Sequence, residues 1–318
     1  MTVDQPSPPN LPARIPMPGR VLTRLPLAFR VARWWSVSGP RRGRWRIWEL
    51  AARLSGRGRV YETRLHYGAT VLVDLSDPMS RYPVAYGGMT EHALHRAVRR
   101  VLSPGDTFVD VGANFGHYCL LAGMLVGPSG AVHAFEPQSS VAALLAESAR
   151  RNGMSQVNVH QMALGDEPGT ATMYVPRARQ SGLGTLRPDA EWLASMDAAT
   201  SQVRVARLDD LAGELGLERV RAIKVDAEGY EAAILRGARE LLVRARPIVF
   251  FEEGPGDCDR PSEAVQLLRE LGYHLWRFSA DGPVLLGNVG ELDQQQNLCA
   301  LMPEHGAAES LLGGEVAQ

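Results

Sequence analysis

From residue 107 onward, short apolar runs alternate with longer segments of helical period. Residues 107–111, 131–135, 157–162, 222–225 and 247–251 are apolar at nearly every position and predict strands. Between and after them, residues 118–126, 140–152, 230–243 and 262–271 place apolar side chains at helical spacing. Residues 209–215 add a short helix, and 274–278 and 298–301 read as late strands. Strands that are apolar throughout and joined by helices predict a mainly parallel α/β sheet covered on both faces. Thr90 is placed to cap a helix over residues 90–102, which Pro104-Gly105-Asp106 ends.

The flanks follow other patterns. Residues 60–65 and 70–75 predict a β-hairpin turning at Tyr67-Gly68, and residues 166–207 read as an inserted hairpin with a mobile Ser181-Gly182-Leu183-Gly184 tip. Residues 1–20 are Pro-rich and expected to be disordered. Residues 21–59 set Trp, Leu and Val among Arg at helical spacing, with a break near Ser38-Gly39-Pro40. Such an arm either caps the main domain or lies on a membrane surface. The main α/β domain is expected over 60–304, followed by a flexible tail over 305–318.

Charge sharpens the arm. Residues 1–60 hold twelve Arg against Asp4 and Glu49, a local net of +10 in a chain whose overall net is −1. Arm and body are therefore oppositely charged, while the global balance calls for no nucleic acid. Lys224 is the chain's single Lys. Cys119, Cys258 and Cys299 form no metal or disulfide spacing, and no stretch reads as a signal peptide or membrane span, so a soluble, cytoplasmic protein is expected. Oligomeric state is left open.

Three motifs carry chemistry. The first is Val109-Asp110-Val111-Gly112-Ala113-Asn114-Phe115-Gly116, a strand running through a glycine turn into a helix N-terminus. Asn114 replaces the second glycine of a dinucleotide loop, and the Asp110 carboxylate would repel a pyrophosphate but pair with an ammonium. The second is Glu136, at the end of the next strand, where a carboxylate accepts from both ribose hydroxyls. The third is Ile223-Lys224-Val225-Asp226-Ala227-Glu228-Gly229-Tyr230-Glu231. Strand alternation puts Lys224 and Asp226 on one face, at the end of a buried strand where unpaired charge is costly. Lys224, Asp226 and Glu228 are the candidate catalytic set; a purely structural Lys–Asp pair is the alternative. Asp226 and Glu252 could converge on Mg²⁺. The eight histidines show no ligand spacing.

Taken in order, these segments resemble the FkbM-type methyltransferase family. The resemblance runs from about residue 61 to 303 and includes Gly87-Gly88-Met89-Thr90-Glu91, Phe135-Glu136-Pro137, Ala163-Leu164-Gly165-Asp166, Leu208-Asp209-Asp210-Leu211 and Gly272-Tyr273. It implies a class I methyltransferase fold, a Rossmann-like sheet of seven strands with the last antiparallel. It implies S-adenosylmethionine as cofactor and a hydroxyl on a small molecule or glycan as acceptor. Matched by position, Asp110, Gly112, Asn114 and Gly116 would hold the methionine part, Glu136 the ribose and Ala163 the adenine, with Glu91 closing the methionine end. Two other readings stay open on the residues alone: a nicotinamide-dependent oxidoreductase, and a non-catalytic adaptor with a vestigial fold.

Overall fold

A computed structural model describes residues 21–22, 24–38, 44–55, 60–87, 91–176, 181–188, 190–253, 262–279, 282–287, 292 and 296–313. The expected disordered 1–20, the break at Gly39-Pro40, the capping Thr90 and Cys258 lie outside the described residues.

The chain begins with β1 (Val21–Leu22), α1 (Leu27–Ser38), α2 (Arg44–Ser55), β2 (Val60–Arg64), β3 (Thr70–Asp74), α3 (Arg81–Tyr86) and α4 (His92–Val101). The central alternation follows: β4 (Thr107–Val111), α5 (His117–Val126), β5 (Ala131–Phe135), α6 (Ser139–Arg151) and β6 (Val157–His160). Next come β7 (Ala163–Leu164), β8 (Gly169–Pro176), α7 (Ala190–Ser195), β9 (Ala198–Ala206) and α8 (Leu208–Leu211). The chain continues with β10 (Val220–Val225), α9 (Glu231–Arg236), α10 (Arg239–Ala245), β11 (Ile248–Glu253) and α11 (Glu263–Glu270). It ends with β12 (His274–Ser279), β13 (Gly282–Leu285), β14 (Gln296–Leu301) and α12 (Ala308–Leu312).

The main sheet has the order β13-β12-β14-β11-β10-β4-β5-β6. From β6 to β11 neighbours are parallel, and β14 inserts antiparallel between β11 and β12. The sheet has eight strands rather than the seven expected, because β12 turns back into β13 along its outer edge. Gly and Pro in β13 hid that strand from a hydrophobic-run reading.

Alternation sorts the core into two layers. Phe108, Ala222 and Phe250 face α4 and α5, whereas Val109, Val111, Ile223, Val225, Val249 and Phe251 face α9, α10 and α11. Asp110 and Lys224 share the first parity and are paired across β4 and β10, so both charges enter the layer beneath α5. This register positions the site.

Three expectations change. Residues 230–243 form two helices, not one: the Gly237 carbonyl accepts from the Asp209 N–H instead of continuing the helix, and only glycine fits there against the Gly165 carbonyl. The chain breaks there, and the Asp209 carboxylate caps the new N-terminus by accepting from the Glu240 and Leu241 N–H groups. The tail after Glu304 does not simply fray: α12 packs against α4 and buries Ala308 and Leu312. The segment expected to be a mobile tip is docked, since residues 181–183 form a 3-10 turn beside Met79 and Asn114. Thr185 pairs back on Tyr174 and donates to the Glu228 carbonyl.

Helices α1 and α2 pack onto the domain through Phe29, Ala32, Trp48 and Ala51. Helix α4 starts directly after Glu91. No helix among the described residues is long and apolar enough to cross a membrane.

Candidate functional site

Strand order reverses between β4 and β10, and an open α/β sheet binds ligands at the carboxyl ends beside that reversal. A cavity with about 760 Å³ of open space lies there. Gly112 and Asn114 after β4, Glu136 after β5, and Asp226 and Glu228 after β10 line its polar side. Ala163, Met162, Leu164, Met173 and Leu186 form an apolar wall, so the inserted β8 and the segment after it complete the enclosure.

The loop after β4 is built by close approach. Gly112 has φ +76°, and a Cβ there would collide with the Asp226 carbonyl oxygen. Gly116, at φ +96°, would collide with Leu145 of α6. Both glycines therefore pack β4 against β10 and α5 against α6, instead of only opening room for a ligand. Asn114 and Glu228 hold left-handed backbone at φ +46° and +50°, and both line the cavity. Glu231 fixes the second of these turns, accepting from the N–H groups of Ala227 and Gly229.

The Glu136 carboxylate accepts from the Asn114 N–H at 3.0 Å and the Gln138 N–H at 2.9 Å. Burial nevertheless raises its pKa to about 7. Each carboxylate oxygen has a second lone pair, which leaves acceptor capacity toward the cavity.

Behind the loop lies a charged network. Lys224 Nζ donates to Asp226 Oδ2 at 2.8 Å and sits 5.0 Å from the centre of the Tyr118 ring. Burial pulls the Lys224 ammonium toward neutrality, but Asp226, Asp110 and Glu91 outweigh it, so its pKa rises. Asp110 is 1% exposed, and neither carboxylate oxygen closes a hydrogen bond. Burial raises its pKa to about 6, against the pull of Lys224. Glu91 accepts from Tyr118 Oη at 2.7 Å and from Asn297 Nδ2. Burial and the neighbouring carboxylates of Asp226 and Glu252 push Glu228 up to about 8.

Comparisons with known proteins add an independent line. The Methyltransferase FkbM domain matches residues 110–275, more than half of the chain. The chain belongs to the FkbM methyltransferase family. A 31-O-demethyl-FK506 methyltransferase, FkbM, of Streptomyces tacrolimicus is 32% identical over 197 residues, covering 54% of this chain and 74% of that protein. A 2-O-methyltransferase, NoeI, of Sinorhizobium fredii is 26% identical over 164 residues, covering 48% and 66%. A crystal structure of an FkbM methyltransferase from Methylobacillus flagellatus aligns with TM-score 0.38 and 18% identity over 64% of this chain and 47% of that one. That likeness is too loose to carry an argument; the strand order and the sequence match define the fold and family.

Within this FkbM-family chain, the cavity gathers Gly112, Asn114, Glu136, Ala163, Asp226 and Glu228. Asp110, Gly116, Lys224 and Glu91 do not line it; they stand behind the loop, on the α5 side of the sheet or in its packing. Tyr118 and Asn297, which hold Glu91, escaped the sequence reading because their contacts span 27 and 206 positions. Met79 and Leu186 escaped it as well, being ordinary apolar residues in connecting segments. Asp226, Glu228 and Glu252 do converge, each offering a carboxylate oxygen within 4.8 Å of the others. Lys224 donates to Asp226 at this cluster, so one cation already offsets part of its charge.

Proposed function

We propose that the protein transfers a methyl group from S-adenosylmethionine to a hydroxyl of a small molecule or sugar. The observation that carries this reading is the charge around the crevice. Asp110, Glu136 and Asp226 stand at or just behind the ends of β4, β5 and β10, and Lys224 is the cation placed among them. Such a crevice attracts a ligand carrying an ammonium and a sulfonium and repels a pyrophosphate. This disfavours a nicotinamide dinucleotide. Asp110, buried behind the loop, adds its charge to that field without lining the cavity. Both relatives named above carry O-methyl transfer in their names, which supports a hydroxyl acceptor.

When bound, S-adenosylmethionine supplies a methyl carbon on a cationic sulfur. Glu136 would accept the ribose hydroxyls, the wall around Ala163 would take the adenine, and the loop of Gly112 and Asn114 would hold the methionine end. Asp226 would accept the acceptor hydroxyl's proton at one carboxylate oxygen, while Lys224 holds the other. Glu228, protonated near neutral pH, orients the acceptor by donating to it.

Calorimetry with S-adenosylhomocysteine and with NAD tests the cofactor assignment. Binding of the first and not the second is expected; NAD binding alone would return the protein to the oxidoreductases, and binding of neither would favour an adaptor. On any acceptor that gives turnover, Asp226→Asn is expected to lower kcat by about 10²-fold or more with S-adenosylhomocysteine affinity retained. Near wild-type turnover would remove Asp226 from the proton path.

A further inference from the structure

The arm meets the domain with one face only. Phe29, Ala32, Trp48 and Ala51 are at most 3% exposed, and the Phe29 and Trp48 rings pack 5.7 Å apart. On the opposite side of α1 stand Leu27 (72% exposed), Val31 (49%) and Trp34 (61%), spaced i, i+4, i+7 along one stripe. On α2, Leu50 and Leu54 are 56% and 71% exposed at i, i+4. Half of the ten large apolar side chains exposed among the described residues therefore sit on these two helices. A cap that only protected the core would turn polar residues outward here.

The charges around the stripe have one sign. Arg24, Arg30, Arg33, Arg46 and Arg53 are exposed beside it. Glu49 is the single acidic residue in the two helices, and it is paired to buried Arg81 at 3.1 Å as well as to Arg53. Exposed Leu and Trp ringed by arginine, with the lone carboxylate already neutralised, form a surface for apolar insertion under anionic headgroups. A second copy of this chain would set arginine against arginine across a twofold axis, so like charge disfavours self-association through this face.

We propose that the outward face of α1 and α2 docks the protein on an anionic membrane surface, lying in the interface rather than crossing it. The dock is coupled to the crevice: Arg81, which holds Glu49, lies two residues beyond Met79 of the cavity wall. The cavity is thereby held at a fixed place relative to the lipid surface.

The test uses the full chain and sedimentation with vesicles of phosphatidylcholine, with or without phosphatidylglycerol. Binding to the anionic vesicles is expected, about tenfold or more tighter than to the neutral ones, and weakening as salt is raised. Leu27→Ser with Trp34→Ser is expected to weaken it about tenfold or more. Arg30→Gln with Arg33→Gln should cost about fivefold per arginine. Both double variants should keep wild-type circular dichroism and S-adenosylhomocysteine affinity, because these positions are exposed and remote from the loop. A trough of Trp34 quenching by brominated lipid would report insertion directly. Equal binding to neutral vesicles, or no binding to anionic ones, would overturn the proposal. So would binding lost only with the arginines, which is simple charge adsorption, or an arm-dependent dimer in sedimentation equilibrium.

Discussion

Asp110 offers a sharp test of how this site stores cost. Its carboxylate is fully buried, unbonded at both oxygens, and titrates at about 6 instead of the ordinary 3.8 because burial disfavours the charge. At about 1.4 kcal/mol per pH unit, that difference costs folding about 3 kcal/mol once the folded-state group is ionised. The sign follows from linkage. Below 3.8 both folded and unfolded chains carry the proton and the cost is absent; it grows as pH rises through the interval and is complete above about 6. Asp110→Asn keeps the shape and removes the charge. The free variant is therefore expected to be more stable than wild type by about 2–3 kcal/mol at mildly alkaline pH, a Tm rise of about 4–8 °C. The advantage should vanish toward pH about 4. The same variant should lose S-adenosylhomocysteine affinity by about tenfold or more, since the charge that destabilises the free protein is the one reserved for the ligand. Thermal denaturation across that pH range, with calorimetry at neutral pH, reads both quantities. A variant less stable than wild type at alkaline pH, or a difference that ignores pH, would refute the burial argument. Unchanged affinity would detach Asp110 from the cofactor.

Other substitutions probe the remaining parts. Gly112→Ala must force a Cβ into the Asp226 carbonyl from a left-handed backbone, so loss of soluble protein or a stability drop of several kcal/mol (about 3 or more) is expected in urea titration. Lys224→Met strands Asp226, Asp110 and Glu91 beside one another and is expected to cost about 3–5 kcal/mol, more at alkaline than at acid pH, in the same assay. Glu136 titrates at about 7, so S-adenosylhomocysteine affinity should rise as pH climbs through neutrality and become flat in Glu136→Gln. Methyl transfer should survive exhaustive EDTA treatment, because Lys224 already supplies the cation at the Asp226 cluster.

Much of the fold was legible in local pattern. The strands at 107–111, 131–135 and 248–253 announce themselves because a strand buried on both faces has no room for polar alternation. Strand β13 did not, since its pairing with β12 comes from a neighbour rather than from its own composition. The split at Gly237 depended on Asp209, which bonds the Gly237 carbonyl and caps the next helix, and helical period alone runs straight through it. At the site, Lys224 and Asp226 were correctly placed on one face by strand parity, and their 2.8 Å bond follows from it. That Lys224 stands behind the cavity while Asp226 lines it was not legible, because parity names a face without saying which helices cover it.

The loop of residues 110–116 shows where the division falls. The chain alone specifies its chemistry: a carboxylate, two glycines with the helix start, and an acid at the end of the following strand. These are covalent facts, and they were enough to set a methyl donor against a dinucleotide. Only the tertiary structure assigned the glycines to packing against Asp226 and Leu145, sealed Asp110 beneath α5, and folded the inserted segment over the apolar wall at Ala163. It also decided that the arm could cap the domain and still present Leu and Trp to the outside, since a helix has two faces and only packing chooses which is hidden.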